Sequence, residues 1–392
     1  MMEFKDKYDL IVVGAGPGGS MAAKTAAEAG LEVLMIEKRQ EIGTPVRCAE
    51  GVGTKELARY VTLDDRWIAC EIEAAKIYAP NGSHLKIASA SKSGCILERK
   101  IFDRVLAQNA VRAGADVVVK CRASGLLFDN GRIAGVEVVH LGEHHSIKSD
   151  IVVGADGIES KVGRWGGIDT CLGLEDIVTC AQYLITGIEL DGFFTEFYLG
   201  NEIAPGGYAW VFPKGEQMAN VGIGLNSTMM GDLRPIDYLN RFVKSRFPEG
   251  KILEVVLGGV AVCGPIKQTV ADGLMLVGDA ARQSDPLTGG GIINAMNAGV
   301  IAGEVAADAI SRGDTSASGL DEYEVRWREE IGKKLSKMLR TKNVLLKLSD
   351  AELNRIAASL DGEDIEGLSS TEFIIRIIRK NPLILKDLVG IL

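Results

Sequence analysis

The chain has 392 residues, 46% of them hydrophobic and 25% charged, which suits two or three packed lobes of ordinary globular composition. A net charge of −9 argues against an extended phosphate-binding surface, so no nucleic-acid partner is expected. The seven cysteines (Cys48, Cys70, Cys95, Cys121, Cys171, Cys180 and Cys263) contain no CxxC pair, which argues against a zinc site or a disulfide scaffold and fits a reducing cytoplasm.

The charged leader runs directly into a strand, so no signal peptide is expected, and no apolar run of about 18 residues predicts a membrane span. Tyr8–Val13 is apolar and β-branched, the pattern of a buried strand. It leads into Gly14-Ala15-Gly16-Pro17-Gly18-Gly19, a GxGxxG loop, then a predicted helix Ser20–Ala29 stopped by Gly30, then a strand Glu32–Ile36 ending at Glu37. In such a βαβ unit Gly14 permits the tight turn, Gly16 lets the backbone approach a pyrophosphate, and Gly19 lets helix and strand pack closely. Ala15 and Gly18 belong to the same phosphate loop, and the helix start offers free N–H groups and a positive dipole end. Glu37 can accept both hydrogen bonds of an adenosine ribose diol. This unit predicts a dinucleotide without choosing between NAD and FAD.

Ile101, Val105, Leu106 and Ala110 show helical spacing over Arg99–Ala113, which Gly114 ends. Arg99, entering that helix, is either a flavin contact or a solvated arginine. A strand Val117–Val119 and a hairpin Leu126–Val139, turned at Asp129-Asn130-Gly131, follow. His140, His144 and His145 flank Gly142 in a further predicted hairpin, so metal ligation is not expected. Next comes Val152-Val153-Gly154-Ala155-Asp156-Gly157, with Ser160 and Lys161 behind it.

From about Val178 to Cys263 the pattern becomes that of a mostly antiparallel sheet, with strands Gln182–Ile188, Thr195–Leu199, Tyr208–Phe212, Ala219–Leu225 and Leu253–Val262 and one helix near Pro235–Phe247. Within it, Pro205 to Pro213 reads PxxYxWxFP, followed by Gly222-Ile223-Gly224. Alternation places Tyr208, Trp210 and Phe212 on one face, as a wall for an apolar substrate or as core of this lobe. An apolar strand then ends in Gly278-Asp279, where an Asp can bind a polyol such as the ribityl chain of FAD. Gly289, Gly290, Gly291 and Ile292 open a helix through about Ile310, whose N-terminus would stabilise negative charge on a reduced flavin. The remainder reads as helical: a long charged helix Leu320–Leu348 and shorter ones after Ser349 and Ser369. Phe373 to Leu392 mixes apolar clusters with Arg376, Arg379, Lys380 and Lys386, fitting either an anionic membrane surface or helices docked on the body.

GxGxxG, then Asp156-Gly157, then Gly278-Asp279 resembles the three ordered fingerprints of flavoproteins with the p-hydroxybenzoate hydroxylase fold, over residues 1–310. The resemblance implies FAD, with Asp156 and Gly157 among its contacts and Ala123 offering backbone atoms to adenine. The expected fold class is α/β: a Rossmann-type FAD-binding lobe (residues 1–177 and 264–312), an inserted antiparallel β-sheet substrate lobe (178–263), and a small helical C-terminal region (313–392). PxxYxWxFP with its trailing GxG, together with Pro45-Val46-Arg47-Cys48-Ala49-Glu50-Gly51 as PxxCxEG, is similar to the geranylgeranyl reductase family. That resemblance implies backbone contacts to FAD near Arg47, Cys48, Ala49 and Gly51, and Tyr208, Trp210 and Phe212 as substrate contacts. Cys48 or Tyr208 would relay a proton, although an ordinary packed role for Cys48 stays open.

The implied activity is FAD-dependent saturation of C=C bonds in geranylgeranyl chains of archaeal-type membrane glycerophospholipids, or of geranylgeranyl diphosphate. The electron donor is one that no motif identifies. The implied location is cytoplasmic, with peripheral membrane contact through the C-terminal region. Two other readings remain: a monooxygenase or halogenase of the same fold, although a halogenase WxWxIP motif differs here at Tyr208 and Phe212, and a non-catalytic FAD electron carrier.

Overall fold

Leu10, Ile11 and Val12 are fully buried, as a strand covered on both faces requires, and they sit in the strand Lys7–Val13 at the centre of a parallel sheet. The computed structural model describes residues 4–88, 94–360, 376–377 and 379–381. The chain divides into two units: the first runs to Val46 and includes Arg99–Leu172 and Ala261–Ser336; the second holds Arg47–Glu98, Gly173–Val260 and the described residues from Lys337 on.

In the first unit the strand order is Val270–Ala271, Leu274–Leu276, Glu143–Gly154, Lys7–Val13, Val33–Ile36, Asp116–Val118, parallel from the second strand onward. Val13 pairs with Gly154 and Ile36, and Gly154 pairs with Leu276. Three chain segments far apart in sequence therefore end at one sheet edge, where ligands of open α/β sheets bind. Strands Cys121–Asp129 and Arg132–His140 continue the sheet antiparallel from Glu143–Gly154, with Asn130 and Gly131 both at positive φ in the turn. His140 and His145 lie on adjacent strands of this extension, each edge-on to Phe4, and no group suited to a metal occurs among the described residues.

The first helix spans Pro17–Glu28 rather than starting at Ser20, because proline at the first helical position costs no hydrogen bond and presets φ. Two glycines of the loop therefore open the helix. The long helix Ile292–Arg312 packs on it at close range: a Cβ on Gly299 would stand 2.2 Å from the Gly18 carbonyl oxygen. The expected single helix Leu320–Leu348 is instead three segments: Asp321–Trp327, a π-helical turn Arg328–Gly332, and Lys333–Leu345. Trp327 donates to Thr269 Oγ1 while Arg328 donates to the Ile266 and Lys267 carbonyls, so neighbouring residues are fixed to one loop and the helical ladder slips to accommodate them.

The second unit is built on a seven-stranded sheet ordered Lys251–Ala261, Ile177–Thr186, Met218–Asn226, Tyr208–Pro213, Phe194–Tyr198, Ala74–Tyr78, His84–Ala88. Residues 47–98, assigned by sequence to the FAD lobe, fall here instead, because Ala74–Tyr78 pairs in parallel with Phe194–Tyr198. A three-stranded sheet of Gly51–Gly53, Gly94–Leu97 and Ile68–Ile72 accompanies it. One face of the large sheet, with Ala209, Val211, Val221 and Ile223, buries Leu239, Phe242 and Val243 of the helix Pro235–Arg246. The helix Asp350–Ser359 begins at a capping box of Ser349 and Glu352. The helix expected after Ser369 and most of the Phe373–Leu392 segment lie outside the described residues.

Candidate cofactor and substrate sites

At the carboxyl edge of the parallel sheet the glycine loop is fixed by near-contacts. Gly14 has φ +111°, and a Cβ there would meet the Ala155 carbonyl oxygen at 2.3 Å; one on Gly19 would meet the Gly14 oxygen at 1.9 Å. Gly16 is different, since a Cβ there would meet nothing within 4 Å. The loop is thus closed against the protein at Gly14 and Gly19 and open at Gly16. The helix behind it has no side-chain cap, which leaves first-turn amides for an anion.

Glu37 sits beside this loop: its carboxylate accepts from the Ala15 amide at 3.3 Å and the Arg39 amide at 2.9 Å. Its own carbonyl accepts from Cys121, which begins the strand carrying Ala123. Asp156 accepts from the Val162 amide through Oδ2, while its buried Oδ1 has no partner, and burial raises its carboxyl above the usual range. Gly157, at φ +71°, follows it into a short 3-10 turn.

On the third strand end, burial likewise raises Asp279, and the Arg99 guanidinium opposes that rise. Arg99 also makes a paired contact with Asp103, one turn along its helix, at 3.1 and 2.7 Å. Asp103 was not singled out by sequence, although its i,i+4 spacing from Arg99 is the visible signal. The loop before Ile292 is closed by Asp285, which accepts from Leu287 and Thr288. A Cβ on Gly291 would come 3.2 Å from Asp279 Oδ1, so Gly290, Gly291 and Ile292 start their helix next to that carboxylate.

These observations suit an FAD: an open glycine step, uncapped helix amides, a carboxylate beside the loop, and an orphaned buried acceptor at Asp156. All belong to the first unit.

The second unit carries an aromatic face. Tyr208, Trp210 and Phe212 alternate along one strand, and Phe197 from the next strand meets Tyr208 and Phe212 edge-on. Trp210 and Phe212 are 7% and 8% exposed, packed with Cys70, Ile72 and Ile96, whereas Tyr208 is half-buried. The GxG motif explains itself by register: Trp210 pairs with Gly222 and Tyr208 with Gly224. A Cβ on Gly222 would be 2.3 Å from the indole, so only glycine lets Trp210 lie across that strand.

The Cys48–Gly51 loop belongs to this face. The Cys48 carbonyl accepts from Gln182, which itself accepts from the Trp210 indole; the Ala49 carbonyl accepts from Asn220; and a Cβ on Gly51 would touch Phe212 at 2.9 Å. Glu50 adopts φ +75° and its carboxylate is held by Lys214 at 2.6 Å and Asn220 at 2.7 Å. Lys214 also pairs with Glu98. The Glu50 amide donates to Cys48 Sγ at 3.2 Å. Cys180 lies near: burial, then the neighbouring Cys48, pushes its thiol up to about 12. Arg47 is exposed, with its aliphatic stem toward Gly258. Gln182, Lys214 and Asn220 escaped the sequence reading, since each is an isolated polar residue in or just after a mainly apolar strand and belongs to no motif.

The chain matches a model of the geranylgeranyl reductase catalytic domain over residues 176–260 and one of an FAD binding domain over residues 7–201. It is 54% identical to a digeranylgeranylglycerophospholipid reductase of Methanothrix thermoacetophila, over 97% of this chain and 98% of that one. It is 51% identical to one of Methanocella arvoryzae, over 99% and 100%. A crystal structure of a geranylgeranyl bacteriochlorophyll reductase-like protein from Thermoplasma acidophilum superposes with a TM-score of 0.95 at 40% identity, covering 99% of this chain and all of that one. A p-nitrophenol 4-monooxygenase from Pseudomonas putida, at 18% identity and TM-score 0.73 over 98% and 99%, shares the fold alone.

Proposed function

Because this chain belongs to the digeranylgeranylglycerophospholipid reductase family, we propose that it uses FAD to saturate C=C bonds in the geranylgeranyl chains of a membrane glycerophospholipid, with geranylgeranyl diphosphate as a second candidate substrate. The observation that carries this reading is the aromatic face of Tyr208, Trp210, Phe212 and Phe197 with the Cys48 loop hydrogen-bonded onto it. An isolated alkene offers no hydrogen-bonding group, so orientation must come from apolar contact, and this face supplies it.

In this reading Gly14, Ala15, Gly16, Gly18 and Gly19 hold the pyrophosphate and Glu37 the ribose, with backbone at Ala123 toward the adenine. Arg99, Asp156, Gly157, Gly278, Asp279, Gly290, Gly291 and Ile292 hold the rest of the cofactor. Bound FAD, once reduced by an electron donor, would supply the hydride from flavin N5. The chain's own part is to hold the lipid chain on the aromatic face, keep water from it, and deliver a proton to the second alkene carbon. Cys48, a half-buried residue whose Sγ accepts from the Glu50 amide, is the first candidate for that proton, and Tyr208 the second.

No helix of the described residues is long and apolar enough to cross a membrane. Peripheral contact through the C-terminal region belongs to the same reading, supported by the substrate class and by the exposed Arg379 and Lys380.

The test is anaerobic. Enzyme reduced with dithionite is mixed with the unsaturated lipid, flavin reoxidation is followed, and the lipid is weighed by mass spectrometry. Substrate-dependent reoxidation with a gain of two hydrogens per bond, one hydride and one proton, is expected. Oxygen-dependent turnover on a phenol, with the lipid inert, would replace this reading by a monooxygenase. Single-turnover oxidation of Cys48→Ala assigns the proton: an unchanged rate excludes Cys48.

A further inference from the structure

We propose that Gln182 is a positioning residue that ties the Trp210 indole to the Cys48 loop; the inference rests on the function proposed above. Gln182 lies on Ile177–Thr186, directly across from Gly222, and Gly222 is directly across from Trp210 on the next strand. Three residues thus form one rung over three strands. Since the middle one has no side chain, the indole lies over it and its Nε1 reaches Gln182 Oε1 at 3.0 Å. The other end of the same amide, Nε2, donates to the Cys48 carbonyl at 3.1 Å.

Chemistry fixes the orientation of this amide. An indole N–H can only donate and a backbone carbonyl can only accept, so the oxygen must face Trp210 and the nitrogen Cys48. Gln182 is 6% exposed, so neither partner has a ready substitute in water. The loop it holds is otherwise determined from the far side. Glu50 is kept at φ +75°, unfavourable for a non-glycine residue, by Lys214 and Asn220, and its amide points at Cys48 Sγ. Cys48 is therefore held through its carbonyl by Gln182 and at its sulfur by Glu50. A lipid chain against the half-buried Tyr208, which stands edge-on to the indole, acts on one end of this bridge and the thiol sits at the other. Gln182 acts through Cys48 and touches no reacting atom.

The experiment uses the full-length, FAD-loaded protein and two readouts: the iodoacetamide alkylation rate of Cys48, resolved by peptide mass spectrometry against the exposed Cys171, and kcat and KM with the prenyl lipid. Gln182→Glu keeps the acceptor for Trp210 but sets a carboxylate oxygen against the Cys48 carbonyl; Gln182→Met removes both bonds at similar volume; Trp210→Phe removes the indole donor. In all three, Cys48 alkylation is expected to change by about threefold or more with Cys171 unchanged; in the two Gln182 variants kcat is expected to fall about tenfold with KM within about twofold. The double variant Gln182→Met with Trp210→Phe is expected to be no worse than the poorer single variant, because both break one chain.

Unaltered Cys48 alkylation in a Gln182 variant with wild-type flavin content overturns the proposal, and so do effects of Gln182→Met and Trp210→Phe that multiply. If Gln182→Glu does not fold, Gln182→Met carries the same comparison. Wild-type protein that fails to reduce the lipid would sink the proposed function, while the alkylation arm would still decide the role of Gln182.

Discussion

The Lys214 ammonium stands 2.6 Å from the Glu50 carboxylate, with both side chains 5% exposed, and this pair anchors the loop that presents Cys48. Breaking a buried pair from one side strands the other charge. Lys214→Met is therefore expected to cost about 3–5 kcal/mol of unfolding free energy, with Glu50→Gln added to it recovering much of the loss. Urea unfolding of the two singles and the double measures this. Fully additive losses would mean the two groups act independently.

Gly16 and Gly19 separate cofactor binding from folding. A Cβ at Gly16, the N-cap of the first helix, meets no protein atom within 4 Å, so Gly16→Ala should cost the apo protein no more than about 1 kcal/mol yet weaken FAD binding at least about tenfold. Gly19→Val, blocked by the Gly14 carbonyl, should lose about 3 kcal/mol or more of stability as well. Flavin titration of the apo proteins beside thermal melts distinguishes the two.

Asp156 makes a pH prediction. Burial raises its carboxyl in the folded state, so just above the usual carboxylate range the folded chain binds more protons than the unfolded one. Stability contributed by this group is present at low pH and lost as pH rises through the raised value. Asp156→Asn should remove that slope and, by replacing the orphaned acceptor Oδ1 with a donor, weaken FAD binding by about tenfold. Apo melts across the acid range and flavin titration read both; an unchanged FAD affinity would remove Asp156 from the cofactor site.

Gly222→Ala should destabilise the protein by about 1–3 kcal/mol, because its Cβ and the Trp210 indole would claim the same space. Denaturant unfolding with tryptophan fluorescence follows both the loss and the displaced ring.

Much of the first unit was legible in the sequence. The buried strand, glycine loop and terminal acid of residues 8–37 are contiguous and obey local rules, so the places of Gly14 and Glu37 follow from the chain pattern alone. Helix edges were less legible: Pro17 moved the first one, and anchoring of Trp327 and Arg328 broke the last long one. Residues 47–98 were misassigned because short strands such as Ala74–Tyr78 carry no mark of a partner more than a hundred residues away.

By itself the sequence determined the dinucleotide unit, the order of its three fingerprints and the alternation of Tyr208, Trp210 and Phe212, since each depends on residues near one another in the chain. Only the tertiary structure decided that Gln182, Lys214 and Asn220 converge on Cys48 and Glu50. Their meeting depends on strand register and on the space left by Gly222, and pairing across strands leaves no periodic trace along the chain.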